Sequence, residues 1–81
     1  MSKFTNLRVF FEKSKENEIT LTFDEISRII GEPLADSAYN HRAYWNDSKT
    51  HMFPKAWISS GYLLKRVDMV NQIAIFESGA K

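Results

Sequence analysis

The stretch TFDEISRIIGEP, residues 22–33, contains the clearest helix boundaries in the chain. Thr22 followed by Glu25 matches the capping box, in which the threonine hydroxyl and the glutamate carboxylate each accept a backbone N–H at a helix start. Gly31 suits the left-handed residue that ends many helices, and Pro33 cannot continue one. We therefore predict a helix between these signals. Three isoleucines form its buried side: Ile26, Ile29 and Ile30.

The residues before this helix predict an earlier helix and a short strand. In the first, apolar residues recur at three- and four-residue intervals and Ser2 can serve as the N-terminal cap. In the second, EITLT at residues 18–22, β-branched residues alternate, so we expect Ile19 and Leu21 to face inward. The apolar stripe of the earlier helix consists of Phe4, Leu7, Phe10 and Phe11.

Two further helices are predicted after Pro33. The third begins with Asp36 or Ser37 as its cap and runs to about Trp45. A fourth starts near His51, with Ser48 or Thr50 as its cap, because Pro54 is tolerated in a first turn. The inner face of this fourth helix consists of Phe53, Ala56, Trp57 and Ser60.

The C-terminal residues change to a period of two. YLLKRVDMV and QIAIFE read as two strands of a hairpin that turns at residues 70–72. The order of elements is that of a winged helix-turn-helix, in which the early strand is available as a third strand of the wing sheet and the fourth helix is an insertion. We therefore predict one α+β domain, residues 1–81, of winged-helix type, although small α+β domains combine the same elements in other ways.

Composition favours a folded, non-secreted domain. The 81 residues are 43% hydrophobic, 14% aromatic and 26% charged, which is typical of globular proteins. The chain has no cysteine, which excludes disulfides and thiolate zinc sites and favours a reducing compartment. No signal peptide or membrane span is recognisable, so we expect a cytoplasmic protein that contacts no membrane.

Charge is unevenly distributed around a net value of +1. Residues 1–36 carry five basic and seven acidic side chains, whereas residues 37–67 carry five basic side chains and only Asp47. The basic part includes SAYNHRAYWND at residues 37–47, where aromatic and polar residues are interleaved as in many nucleic-acid-binding surfaces. The pattern favours a non-enzymatic, nucleic-acid-binding domain, with DNA as the expected partner.

The polar members of this region are the candidate binding residues. Asn40 and Arg42 suit base edges or phosphates, and His41 suits phosphate. The full predicted set is Asn40, His41, Arg42, Lys49, Lys55, Lys65 and Arg66.

The aromatic members of the region have two possible roles. Tyr39 and Tyr44 are candidates for stacking if the target is single-stranded. We expect Trp45 and Trp57 to lie in the core, because large aromatic residues dominate burial in small proteins. Tyr44 and Tyr62 are expected in the core or at its boundary.

Catalytic and metal-binding signatures are weak. His41 and His51 match no familiar zinc spacing, and with Asp47 they would still need further ligands. Ser37, His41 and Asp47 can be drawn as a hydrolytic set, but their spacing is arbitrary and no nucleophile elbow surrounds Ser37. The three glycines are isolated, so no phosphate-binding loop is present. We expect no enzyme activity, no metal and no cofactor.

The competing hypothesis is a protein-protein adaptor or inhibitor that engages a basic partner through the acidic first third. Such carboxylates more often form a solvated face or favour a helix N-terminus. The acidic residues concerned are Glu16, Glu18, Asp24, Glu25, Glu32 and Asp36. Oligomeric state is not determined by either hypothesis.

Residues 21–77 also resemble a family of short bacterial and phage proteins catalogued as a domain of unknown function. The resemblance lies in LTFDEISRIIGEPLADSAYNHRAYWND, AWISSGYLLKRVD and IAIFE, with Tyr44-Trp45 in place of a more usual Trp-Trp pair. It implies a bacterial or phage origin and transfers no catalytic residue. The residues that carry the family pattern in this region are Ser37, His41, Arg42 and Trp45.

Overall fold

The computed structural model describes residues 4–46 and 52–79, and of Met52 only the backbone. Within these residues the chain forms four α-helices, one short 3-10 helix and one antiparallel sheet, so the predicted α+β class is confirmed. The predicted residues Ser2, Asp47, Ser48, Lys49, Thr50 and His51 lie outside the described part. In chain order the elements are α1 (Thr5–Lys13), β1 (Glu18–Thr22), α2 (Phe23–Ile30), α3 (Asp36–Asn40), the 3-10 helix (Arg42–Tyr44), α4 (Met52–Ile58), β2 (Tyr62–Asp68) and β3 (Ile73–Ser78).

Helix α2 has both predicted boundaries. The Thr22 hydroxyl accepts the Glu25 N–H at 3.0 Å, and the Glu25 carboxylate accepts the Thr22 N–H at 2.9 Å. Gly31 has a φ of 94° and its N–H donates to the Ser27 carbonyl at 2.8 Å, which closes the helix in the left-handed conformation that glycine tolerates. Helix α2 follows β1 without a loop, so the two Thr22–Glu25 bonds lie at the junction between sheet and helix.

The three strands pair in the order β1-β3-β2, all antiparallel. The early strand pairs with the second strand of the hairpin and so adds a third strand to it, as the sequence predicted, although the sequence did not predict which hairpin strand it joins. Ile19 and Leu21 face inward as predicted, opposite Phe76 and Ala74. The other face of the sheet is open, and half-buried Ile75 lies on it.

A bulge in β2 changes which side chains reach the open face. Leu64 is opposite Phe76 and Arg66 is opposite Ile75, so Lys65 is an extra residue in this strand. Both Lys65 and Arg66 are exposed as a result, and alternation resumes with buried Val67. A strict period of two would have turned Arg66 inward, and the bulge avoids this.

Aromatic rings form the core on the helical side of the sheet. Phe23 stacks on Trp45 with ring centroids 4.6 Å apart and planes 21° apart, and Trp45 meets Phe53 at 5.4 Å. Phe53 in turn contacts Trp57, whose ring lies 5.0 Å from the ring of Phe76 in β3. Contacting rings thus connect α2, the 3-10 segment, α4 and the sheet. The predicted burial of both tryptophans is confirmed.

Helix α3 is shorter than predicted. It ends at Asn40, and His41 has extended backbone angles of φ −129° and ψ 114°. The indole N–H of Trp45 donates to the Ala38 carbonyl at 2.8 Å. In a continuing α-helix that carbonyl would accept the N–H of Arg42, so the tryptophan bond favours a chain reversal over helix. The prediction of a helix up to Trp45 is therefore wrong.

The predicted helix caps before α1 and α3 are also corrected. The N-cap of α1 is Phe4 and that of α3 is Ala35, and neither makes a side-chain capping bond. The predicted caps were Ser2, Asp36 and Ser37. Asp36 is instead the first residue inside α3, where its charge favours the positive end of the helix dipole.

The turn between β2 and β3 is held by one carboxylate. Asp68 accepts the backbone N–H groups of Val70 and Asn71 at 3.0 and 3.1 Å, and also the Asn71 side-chain amide at 2.8 Å. Hydrogen bonds from Asn71 are the main reason why the pKa of Asp68 is lowered from 3.8. The Gln72 carbonyl also accepts the Phe23 N–H at 2.8 Å, which fastens the turn to the start of α2.

Replacing Thr22 by alanine should destabilise the protein by about 1 kcal/mol, because one backbone N–H at the start of α2 loses its acceptor. Urea unfolding followed by circular dichroism measures the change. Thr22→Ser keeps the hydroxyl and is the matched control, with stability close to that of the unmodified chain. Equal stability of the alanine and serine variants would contradict the capping role.

Trp45→Phe should cost about 2 kcal/mol, because the Ala38 carbonyl loses its donor inside the core. Hydrogen exchange of the His41–Trp45 amides should also become faster. Phe53→Leu is the control, because it removes a ring of the same cluster without removing the Ala38 bond. Slow exchange of these amides in Trp45→Phe would show that the indole bond does not hold the segment.

Asp68→Ala should lower stability at neutral pH, and the difference should shrink in acid. A carboxyl whose folded pKa is lowered stabilises the fold above its unfolded pKa and loses this effect as pH falls through the folded value. The loss should therefore begin near pH 3.8 and continue below it. Urea midpoints of both chains from neutral to strongly acidic pH provide the test. A constant difference across this range would contradict it.

Candidate nucleic-acid interface

The segment between α3 and α4 holds three of the predicted binding residues on a fixed backbone. The Asn40 side-chain amide donates to the Asp36 carbonyl at 3.0 Å, and the Arg42 guanidinium donates to the Trp45 carbonyl at 2.8 Å. Both residues are exposed, as is His41 between them. Because Arg42 has five N–H donors, one backbone bond orients its guanidinium and leaves further donors for another acceptor.

Tyr44 joins this segment to α4. Its ring lies 5.3 Å from Phe53 and 5.7 Å from Trp45, and the side chain is half-buried. The predicted boundary position of Tyr44 is therefore confirmed. The same contacts place the first turns of α4 beside the 3-10 helix. Lys55 in α4 is exposed and belongs to the same helical layer as Arg42.

Two stretches of this layer carry only basic charges. Residues 37–46 and 52–60 include Arg42 and Lys55 but no aspartate or glutamate. Lys49, which was predicted to contribute, and Asp47 lie between these stretches and outside the described residues. Asp36, the first residue of α3, lies one turn before Asn40 and is exposed, so an anionic ligand at this surface would meet cations and amide donors beside one carboxylate.

The other two predicted cations lie on the opposite side of the sheet. Lys65 and Arg66 project from the open face of β2, whereas the segment around Arg42 packs through Trp45 on the helical side. Lys65 also crosses to Glu18 at 2.7 Å, and this hydrogen bond and charge raise the pKa of the lysine. The structure thus places Asn40, His41 and Arg42 in one exposed segment and Lys55 on α4, which contacts that segment through Phe53, and it separates Lys65 and Arg66 from both.

The acidic residues of the first third have several local roles. Glu18 pairs with Lys65, Glu25 completes the capping box, and Asp24 pairs with Arg28 at 2.8 Å. Asp24 and Arg28 also line an open groove of about 500 Å³ between α2 and α3. The remaining lining residues are Ser27, Gly31, Glu32, Pro33 and Tyr39.

The two predicted tyrosines therefore have different surroundings. Tyr39 lines the groove beside the Asp24 and Glu32 carboxylates, and its ring meets Phe23 edge to face at 5.7 Å. Tyr44 lies at the other end of the segment, two residues after Arg42. Sequence periodicity alone could not predict this difference between Tyr39 and Tyr44. The directions of the two side chains depend on the end of α3 at His41.

Two functional classes, metal-binding and membrane-spanning proteins, can be compared with the described residues. Over residues 4–46 and 52–79, no three histidine, aspartate or glutamate side chains are placed to hold a metal ion. The same residues include no helix of the length and apolarity that a membrane crossing requires. Of the hydrolytic set drawn from Ser37, His41 and Asp47, Asp47 lies outside the described part, so the set stays untested.

Comparison with known proteins identifies a family without an assigned activity. No curated protein and no solved structure matches the chain. One family model, described as a domain of unknown function, matches residues 4–79 and so covers nearly the whole chain. The matched residues include every helix and strand and the whole Asn40–Trp45 segment. The chain therefore belongs to the domain-of-unknown-function family DUF7662.

Proposed function

We propose that this domain binds nucleic acid, without catalysis, through the surface formed by Asn40, His41, Arg42 and Lys55. The observation that supports it most is the exposed segment at Asn40–Arg42, whose side chains bond to its own backbone and which contacts α4, the helix that carries exposed Lys55, through the Tyr44 and Phe53 rings. Cations and amides on a rigid backbone suit phosphate contacts, which supply most of the affinity for nucleic acid.

A winged-helix-like arrangement is part of the proposal. The order α1, β1, α2, α3 and a final hairpin is compatible with it, and β1 pairs with β3, where a third strand of a wing sheet would lie. In this arrangement the helical elements between α2 and β2 would meet the ligand. Because α3 is short, most contacts with the ligand would come from the 3-10 segment and α4, and not from one long recognition helix.

The adaptor hypothesis has less support. Of its six acidic residues, Glu18, Asp24 and Glu25 already have hydrogen-bond or ion-pair partners within the chain. A partner would have to compete with these bonds to use the carboxylates. The basic side of the molecule has no such competition from carboxylates within residues 37–46 and 52–60.

Affinity for labelled DNA should fall steeply between about 50 and 200 mM salt, because neutralised phosphates release counterions. Lys55→Glu should weaken binding and reduce the slope of log affinity against log salt by about one. Fluorescence anisotropy with single-stranded and duplex oligonucleotides measures both quantities. If the chain instead binds a protein partner with an affinity that does not change with salt, the adaptor hypothesis is favoured.

Arg66→Glu is the matched control, since it changes the net charge by the same amount on the open face of the sheet. We expect its affinity to stay much closer to that of the unmodified chain. Equal losses in Lys55→Glu and Arg66→Glu would show that net charge, and not the helical surface, determines binding. Absence of binding to both DNA forms at low salt would refute the proposed function.

A further inference from the structure

The exposed side chains of α3 are poorly arranged for reading base edges. In a recognition helix, the N-terminal residues meet the bases in the major groove, and three or four side chains reach them. With five residues, α3 is only about 7.5 Å long at 1.5 Å per residue, and its backbone turns away at His41. Its first residue is exposed Asp36, whose carboxylate the phosphates on both sides of a groove would repel. This charge and this length disfavour insertion of α3 into a major groove.

The two side chains best suited to base edges, Asn40 and Arg42, already bond to the backbone of their own segment. Reading adenine takes the nitrogen and the oxygen of one asparagine amide together, and reading guanine takes two guanidinium N–H groups aimed at one base. The Asn40 nitrogen donates to the Asp36 carbonyl at 3.0 Å, and one Arg42 nitrogen donates to the Trp45 carbonyl at 2.8 Å. A phosphate oxygen is less demanding, because any remaining Arg42 donor can bind it. These bonds therefore favour phosphate contacts over base-edge contacts.

Helix α4 adds a charge but no row of polar side chains. Among the side chains that the structure describes in α4, only that of Lys55 is exposed, and the others are buried or half-buried. A lysine ammonium is a point charge on a flexible stem, and it binds phosphate in that way. Because every nucleotide carries the same phosphate, such a contact is independent of the base sequence.

We propose that the candidate interface binds the phosphate backbone without reading base sequence, so that its ligand is nucleic acid of any sequence. This inference rests on the proposed function and names its substrate class. Phosphate contacts position a protein on nucleic acid and supply its non-specific affinity, but they carry no sequence information. Arg42 and Lys55 each contribute one charge to this affinity, whichever bases lie beside them.

The test selects ligands for the full chain from two pools of randomised DNA, one duplex and one single-stranded, at low salt. We expect repeated rounds of selection to enrich no sequence motif. The affinities of individual clones of one strand form should agree within about fivefold, which is the smallest usual cost of one mismatched base pair at a specific site. An enriched motif that binds by a larger factor than this over the starting pool would overturn the inference and leave the proposed function standing.

Two substitutions of Arg42 test the same claim at one residue, with folding checked by circular dichroism. Arg42→Gln removes a charge and should reduce the slope of log affinity against log salt by about one for every sequence. Arg42→Lys keeps the charge but removes the planar fork, so any change in affinity should be the same for all sequences. A loss in Arg42→Lys that is confined to some sequences would overturn the inference. Absence of binding to either pool would overturn both proposals. If a variant does not fold, the selection on the unmodified chain decides.

Discussion

The hydrogen bond from the Trp45 indole to the Ala38 carbonyl is the interaction on which the candidate interface depends. It joins residues seven positions apart and holds the chain reversal between them. The same indole ring stacks on Phe23 and meets Phe53, so the reversal is attached to both α2 and α4. In an 81-residue protein with a small core, one buried tryptophan thus sets the direction of a surface segment. The exposed residues Asn40, His41 and Arg42 lie between the two ends of this bond.

The sheet has the complementary role of separating charges. Its inner face carries the aromatic core, and its open face carries a Lys65–Glu18 bridge that spans from β2 to β1. Exposed ion pairs of this kind contribute little to stability, but charge on an open sheet discourages pairing with other chains. Lys65 and Arg66, which the sequence assigned to one basic region with Arg42 and Lys55, therefore lie together on the opposite side of the sheet.

Local signals predicted most of the fold correctly. The capping box, the helix-ending Gly31 and the hairpin all depend on residues a few positions apart, and each is present in the structure. Addition of β1 to the hairpin as a third strand was also predicted, whereas its neighbour β3 was not. The core positions of Trp45 and Trp57 followed from their size alone.

Long-range constraints explain what the sequence could not predict. Apolar spacing supported helix as far as Trp45, but a side-chain bond to Ala38 competes with the helical backbone bond and leaves no mark on that spacing. The sequence also carries no signal for the β2 bulge, because Lys65 and Arg66 are both polar and either could have faced outward. Four of the seven predicted binding residues are consequently grouped on the helical layer, two lie on the open sheet, and Lys49 falls outside the described residues.

The most direct test of this account is a titration of isotopically labelled protein with a short DNA single strand, followed by backbone amide NMR. The account predicts that the largest shifts occur in residues 40–46 and around Lys55, with small changes at Lys65 and Arg66 on the open face of the sheet. Shifts concentrated on β2 and β3, or none at all, would contradict the claim that the segment held by Trp45 forms the binding surface.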